Sequence, residues 1–304
     1  MLKSKKEKNI GIPKYKENTQ ESTAVIPERF EVAILKHIIS NNVATTVNNL
    51  QYPLLLGIQG PYGYGKTFMV KEVCKKYNIA IHPLSTSELS GNWEGDSRKV
   101  LKKLYESVCA ENAEKNRCGV LLIDDFHLTI ATEDSIGKTV NSNILSSYLM
   151  NLCDNPVVAN TKTPIIMTGN NYLRIYPAIV RDGRMNLFTW KPTVEEMKPI
   201  VRQIFQAKFT GVGDESINTI MQLYEDINIA FFEQVSQDLM NSMILRAIDI
   251  FRAAKGGLTI TELAETVKSG LTSIELSEEL LLDFCRRRKN EILISFEEKI
   301  RIKA

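Results

Sequence analysis

The chain has few cysteines, few histidines and no long apolar run, and each scarcity removes a class of protein. Five cysteines among 304 residues (Cys74, Cys109, Cys118, Cys153 and Cys285) form no C-x-x-C pair, and their odd number leaves at least one unpaired. That scatter excludes a disulfide scaffold and a thiolate metal centre, and it suits a reducing compartment, with the cytoplasm as the expected location. His37, His82 and His127 lie far apart without ligand spacing, so no metal site built from protein ligands alone is expected. No run of 18 apolar residues exists, which excludes a membrane-spanning helix. The first residues lack the apolar centre of a secretory signal. Charge of one sign is not in excess: a net +2 gives no general pull towards nucleic acid. Neither an internal repeat nor a low-complexity tract is present.

What the sequence does have is an ordinary globular composition, with 43% hydrophobic and 24% charged residues. Six lysines crowd the first sixteen residues, and residues 1–24 read as a basic, solvated tail. From about residue 27 to 190, short apolar runs alternate with helical periods. Pro27 opens a helix whose core face uses Phe30, Ile34 and Ile38. Strands are expected at 54–59, 79–81, 119–123, 164–168 and near Leu187-Phe188, with helices at 66–77, 96–113 and 139–153. Apolar strands separated by helices imply a parallel sheet covered on both faces. The expected fold is therefore α/β, a five-stranded parallel sheet sandwiched by helices over residues 25–192. Beyond Pro192 helices dominate (193–208, 214–225, 230–254), implying a smaller helical domain over 193–255 and a C-terminal extension over 256–304. Within that extension, residues 291–296 fit an edge strand or a helix end.

The strongest local signal is Gly60-Pro61-Tyr62-Gly63-Tyr64-Gly65-Lys66-Thr67, a complete G-x-x-x-x-G-K-[ST] phosphate loop. An apolar strand precedes it and a helix-forming stretch follows, the context in which the motif works. Glycines let backbone N–H groups turn inward around phosphate oxygens, and the helix dipole adds a favourable field. Lys66 is expected to reach the β- and γ-phosphates and the Thr67 hydroxyl to ligate Mg²⁺. The implied ligand is a nucleoside triphosphate, ATP with Mg²⁺.

About sixty residues on, four apolar residues, Val120 to Ile123, end in Asp124-Asp125. The first acid at such a strand end holds Mg²⁺, and the second polarises the attacking water. Asp124 and Asp125 are assigned those jobs, Asp125 being one methylene shorter than the usual Glu. Asn170, at the end of the next strand, is a candidate sensor of that water. Arg181 and Arg184, on a turn containing Gly183, are candidate arginine fingers, whose guanidinium groups neutralise charge on the transferring phosphoryl group.

These elements, in this order, resemble the AAA+ family of ring-forming P-loop ATPases. Ser87 to Lys99 is similar to the pore-loop segment of AAA+ unfoldases. The resemblance places Trp93, Glu94 and Gly95 in a loop that grips a substrate chain. A narrower resemblance, over residues 24–255 and carried by Leu149 to Pro156, Pro164 to Arg184 and Phe188 to Thr193, is to Rubisco activase and its bacterial relatives. It implies an ATP-hydrolysing homo-oligomer, a hexameric ring that remodels a protein partner, with Rubisco as the candidate, and a helical lid as the second domain. Two departures stand out. Trp93 is absent from typical Rubisco activases, and Ser236 and Asp238 occupy the positions of the family's sensor-2 arginines. Weakened lid closure on ATP is the expected result, with Arg246 as a candidate replacement.

Two other functions compete with the remodeller. A nucleotide-switched scaffold with little hydrolysis is motivated by Asp125 and the missing sensor-2 arginines. A nucleic-acid loader is motivated by Leu258 to Glu265, similar to the first helix of a helix-turn-helix, and by Arg286-Arg287-Arg288-Lys289. Helical spacing favours a solvated face for that basic cluster, so a nucleic-acid partner is disfavoured.

Overall fold

The structure is a computed structural model of the full chain; it describes residues 22–44, 52–84, 97–126, 140–154, 163–172, 177–253, 259–271 and 275–303. The expectations for the basic tail up to residue 21 and for Trp93, Glu94 and Gly95 lie outside the described residues. The described residues fall into two compact units: those within 1–61 and 66–191, and those within 62–65 and 192–304.

In the first unit the described elements run α1 (Glu28–Val43), β1 (Leu55–Gln59), α2 (Lys66–Lys76), β2 (Ala80–Leu84), α3 (Ser97–Glu114), β3 (Gly119–Ile123), α4 (Val140–Asp154), β4 (Ile165–Gly169), the single turn α5 (Pro177–Val180) and β5 (Met185–Thr189). The five strands form one parallel sheet in the order β2-β3-β4-β1-β5. Every residue of β3 and β4 is buried, which is why their sequences are unbroken apolar runs rather than alternating ones. Leu55, Leu121, Ile123, Ile165 and Met167 form one core with Leu101, Tyr105, Val108 and Leu149 from α3 and α4. The helix after Pro27 buries Phe30, Ile34 and Ile38 as its period predicts, and adds His37 and Asn41.

β2 runs through to Leu84, beyond the expected Ile81. Pro83 does not stop it, because β2 is an edge strand paired only to β3, where a missing N–H costs no ladder bond.

The second unit contains α6 (Val194–Gln206), α7 (Asp214–Leu223), α8 (Ile229–Ala253), α9 (Ile260–Leu271) and α10 (Glu278–Lys303). A capping box starts α6: Glu196 N–H donates to Thr193 Oγ1, and Thr193 N–H donates to Glu196 Oε2 at 2.8 Å. Phe205, Ile217, Ile220, Met221, Phe232, Val235, Leu239 and Leu281 are fully buried in this unit. Residues 291–296 lie in the middle of α10, neither a strand nor a helix end. Their β-prone side chains are overridden by a helix that begins with Glu278 and Glu279 at its positive end and runs for 26 residues.

Candidate functional site

Strand register brings the sequence-distant residues together. β1 and β4 pair Gln59 with Gly169, and β3 and β4 pair Ile123 with Met167. One residue beyond each pair, Gly60 is therefore level with Asn170, and Asp124 with Thr168. All four stand at the C-terminal ends of parallel strands, where open α/β sheets bind their ligands.

Lys66, at the start of α2, is 8% exposed. Its Nζ donates to the carbonyls of Gly60 and Pro61, both at 2.8 Å, and to Asn170 Oδ1 at 3.4 Å. Burial lowers its pKa, and the nearby Asp125 and Asp124 carboxylates oppose that shift. Among the described residues the ammonium makes no ion pair within 4 Å, so a buried cation is held by neutral acceptors alone. Such a charge is costly without an anion, and the donor suits a phosphate.

Asp124 is the second centre. Its Oδ1 accepts from Thr67 Oγ1 at 2.5 Å, from Thr168 Oγ1 at 2.5 Å and from the Asp125 N–H at 3.1 Å. A carboxylate and a hydroxyl this close supply the hard oxygen ligands that Mg²⁺ prefers, and one or two such protein ligands are its usual share. Asp125 follows in a left-handed conformation (φ +48°), with its side chain exposed. Its N–H also donates to Thr168 Oγ1 at 3.2 Å. Among the described residues no cluster of three or more His, Cys, Asp or Glu side chains could hold a metal ion unaided.

Gly60 and Gly63 are glycine for different reasons. At Gly60 (φ +154°) an added Cβ would lie 1.9 Å from the Trp190 carbonyl oxygen, a collision no rotamer relieves. Trp190 cannot retreat: its N–H donates to Gln59 O at 2.6 Å, its ring meets Phe30 at 4.9 Å, and the Arg29 guanidinium lies 4.9 Å over it. Gly63 has φ +76°, which a side chain tolerates poorly.

The two candidate finger arginines differ. Arg181 is exposed. Arg184 is clamped within its own chain: Nε and Nη2 donate to the two oxygens of Asp154 at 2.8 and 2.6 Å, and Nη1 to Ala178 O at 2.7 Å. The hydrogen bond from Arg184 holds the Asp154 carboxyl below its usual range.

In the helical unit Ser236 is fully buried and its hydroxyl finds no partner among the described residues. Asp238 accepts from Gln234 Nε2 at 3.0 Å and stands 3.8 Å from Arg288. Arg246 is exposed. The basic cluster on α10 is partly neutralised, Arg287 pairing with Asp283 and Arg288 with Glu291.

Sequence reasoning missed Thr168, although the signal was available: a hydroxyl residue at a strand end, level with the acid of the neighbouring strand. It also missed Gln59, whose Oε1 accepts from Tyr172 N–H at 3.0 Å, and Asn228, which only the tertiary fold brings to the loop.

With this geometry in place, comparison with known proteins is informative. Residues 56–193 match the model of the ATPase family associated with various cellular activities (AAA). These residues are an AAA domain. Curated relatives include the chloroplastic ribulose bisphosphate carboxylase/oxygenase activase of Arabidopsis thaliana, 28% identical over 81% of this chain and 53% of the relative. Activase A of Hordeum vulgare is 30% identical over 73% of this chain and 49% of the relative. The chain thus spans about half the length of the curated relatives it matches. Among solved structures, the crystal structure of the FIGL-1 AAA domain superposes with a TM-score of 0.59 over 91% of each chain, at 15% identity, a likeness of fold. The five-stranded parallel sheet flanked by helices, followed by a helical C-terminal region, is the AAA architecture expected from the sequence. No described helix is long and apolar enough to cross a membrane.

Proposed function

We propose that the chain binds and hydrolyses ATP with Mg²⁺, and that it does so as a ring of identical subunits that remodels a protein partner. The observation carrying this reading is the convergence of Lys66, Thr67, Asp124 and Thr168 at the C-terminal ends of β1, β3 and β4. Gly60 to Gly65 would wrap the phosphates with backbone N–H groups, and Lys66 would exchange its carbonyl partners for β- and γ-phosphate oxygens. Thr67 and Asp124 would hold Mg²⁺, which when bound neutralises charge on the phosphates. Asp125 would take the proton of the attacking water, and Asn170 would orient it. Arg181 and Arg184 would stabilise the transferring phosphoryl group in a neighbouring subunit; the exposed Arg181 is ready for that, whereas Arg184 must first leave Asp154.

The likeness to Rubisco activases supports a protein substrate, with Rubisco as the first candidate, gripped by Trp93, Glu94 and Gly95 in a pore of six subunits. We assign residues 25–192 to the nucleotide-binding core, 193–255 to a lid, 256–304 to its extension and 1–24 to a basic tail. The five thiols, free among the described residues, suit a reducing compartment such as the cytoplasm.

The test is nucleotide binding and turnover. Lys66→Ala should abolish ADP and ATP binding, and Asp125→Asn should retain ATP without turning it over. Undiminished hydrolysis by Asp125→Asn refutes the assignment of the catalytic acid, and the absence of ADP or ATP binding by the unaltered chain refutes the whole reading. The buried Ser236 and the pairing of Asp238 with Arg288 favour a second reading, a nucleotide-switched scaffold; turnover above about one per minute, slow beside usual enzyme rates, excludes it.

A further inference from the structure

We infer that Asn228 is a positioning residue of the phosphate loop, which it clasps to the N-terminus of α8. The inference rests on the nucleotide reading above and adds to it a residue that no local motif marks. Four residues of the loop, Tyr62–Gly65, group with the helical unit rather than with the sheet. The contacts that hold them there are specific. Asn228 Nδ2 donates to Tyr62 O at 3.2 Å, and the Ala230 N–H donates to Gly63 O at 2.9 Å. The same Asn228 caps the helix, its Oδ1 accepting from the Phe231 N–H at 3.0 Å. Contact is close enough that a Cβ on Gly63 would lie 2.5 Å from Asn228 Nδ2.

The chemistry follows from the peptide plane. In a trans peptide the C=O and N–H point in opposite directions, and the described chain contains no cis bond. Drawing the carbonyls of Tyr62 and Gly63 towards α8 therefore turns the N–H groups of Gly63 and Tyr64 to the other side of the loop, the side a phosphate must occupy. One side chain thus fixes a helix end and aims one phosphate donor, the Gly63 N–H, beside the Tyr64 N–H that the Ala230 backbone aims. Without the Asn228 side chain the Tyr62–Gly63 peptide loses its tether, and ordering it falls to the ligand.

Two substitutions separate the clasp from the cap. Asn228→Asp keeps an oxygen acceptor in the same place for Phe231 N–H but loses the donor to Tyr62. Asn228→Ser keeps a good cap with a shorter side chain. Binding of ADP with Mg²⁺ is measured by titration calorimetry, and amide exchange over residues 60–67 is measured without nucleotide. The expected result is melting within about 2 °C of the unaltered chain, ADP affinity about five- to tenfold weaker in both variants, and faster exchange at Gly63. A simple cap would not change exchange in the loop. Unaltered ADP affinity in both variants, or unaltered loop exchange, overturns the inference. If a variant does not fold, the unaltered chain decides: ADP should slow exchange at Ala230 and Phe231 as well as in the loop, and protection confined to the loop overturns the clasp. Failure of the nucleotide reading is distinguishable, since it appears as a folded, unaltered chain that binds no ADP; loop exchange in Asn228→Asp then still tests the clasp.

Discussion

The Thr168 hydroxyl and the Asp124 carboxylate are joined by a 2.5 Å hydrogen bond that ties the ends of β4 and β3 at the centre of the site. Thr168 also accepts from the Asp125 N–H and lies 3.3 Å from the Thr67 hydroxyl. One buried threonine therefore orients both acids and the hydroxyl assigned to Mg²⁺.

Thr168→Val keeps the shape and removes those bonds. Hydrogen bonds to a charged acceptor contribute about 1.5–3 kcal/mol, so the Mg²⁺ concentration for half-maximal ATP turnover should rise about tenfold or more, with melting lowered by several degrees. Magnesium titration of ATPase activity checks this, and an unshifted midpoint argues that Asp124 needs no help from Thr168.

Arg181 and Arg184 should part company on substitution. Arg181→Ala should leave melting untouched and suppress ATPase, because an exposed side chain contributes little to its own fold. Arg184→Ala should suppress ATPase and also lower the melting temperature, since it unties Asp154 and Ala178. Asp154→Asn should reproduce the stability loss and spare more of the activity. Mixing Arg181→Ala with Lys66→Ala protein checks action between subunits: partial recovery of turnover is expected, and none at any ratio counts against it.

His37 makes stability depend on acid. It is buried in α1, and desolvation lowers its pKa from 6.5 to about 4. The unfolded chain therefore binds a proton that the folded chain refuses between those values. Stability is complete above pH 6.5 and falls as pH drops towards 4, by about 3 kcal/mol from this group. Urea unfolding at pH 7 and pH 4.5 should show the loss, and His37→Met should flatten that part of the dependence. An equal slope in the variant would place the acid sensitivity elsewhere.

Much of the first unit could be read from residue order, because its forces are local or periodic. Fully buried parallel strands need unbroken apolar runs, so β1, β3 and β4 announced themselves, and Lys66 and Thr67 came with a motif whose glycines are required by backbone geometry. The C-terminal extension was read less well. Residues 291–296 carry β-prone side chains, yet their state was decided by the helix around them, and Pro83 was tolerated only because β2 is an edge.

What the sequence determined by itself was the set of chemical parts and their order: a glycine loop, a lysine, a pair of acids, two arginines. Tertiary structure alone decided which of them meet. Strand register put Thr168 against Asp124, the Trp190 carbonyl closed the space beside Gly60, Asp154 claimed Arg184, and the end of α8 brought Asn228 to Tyr62. Each of these contacts joins residues at least thirty positions apart, so no local pattern encodes them. They exist because burying the apolar faces of strands and helices leaves one arrangement in which these polar groups find partners.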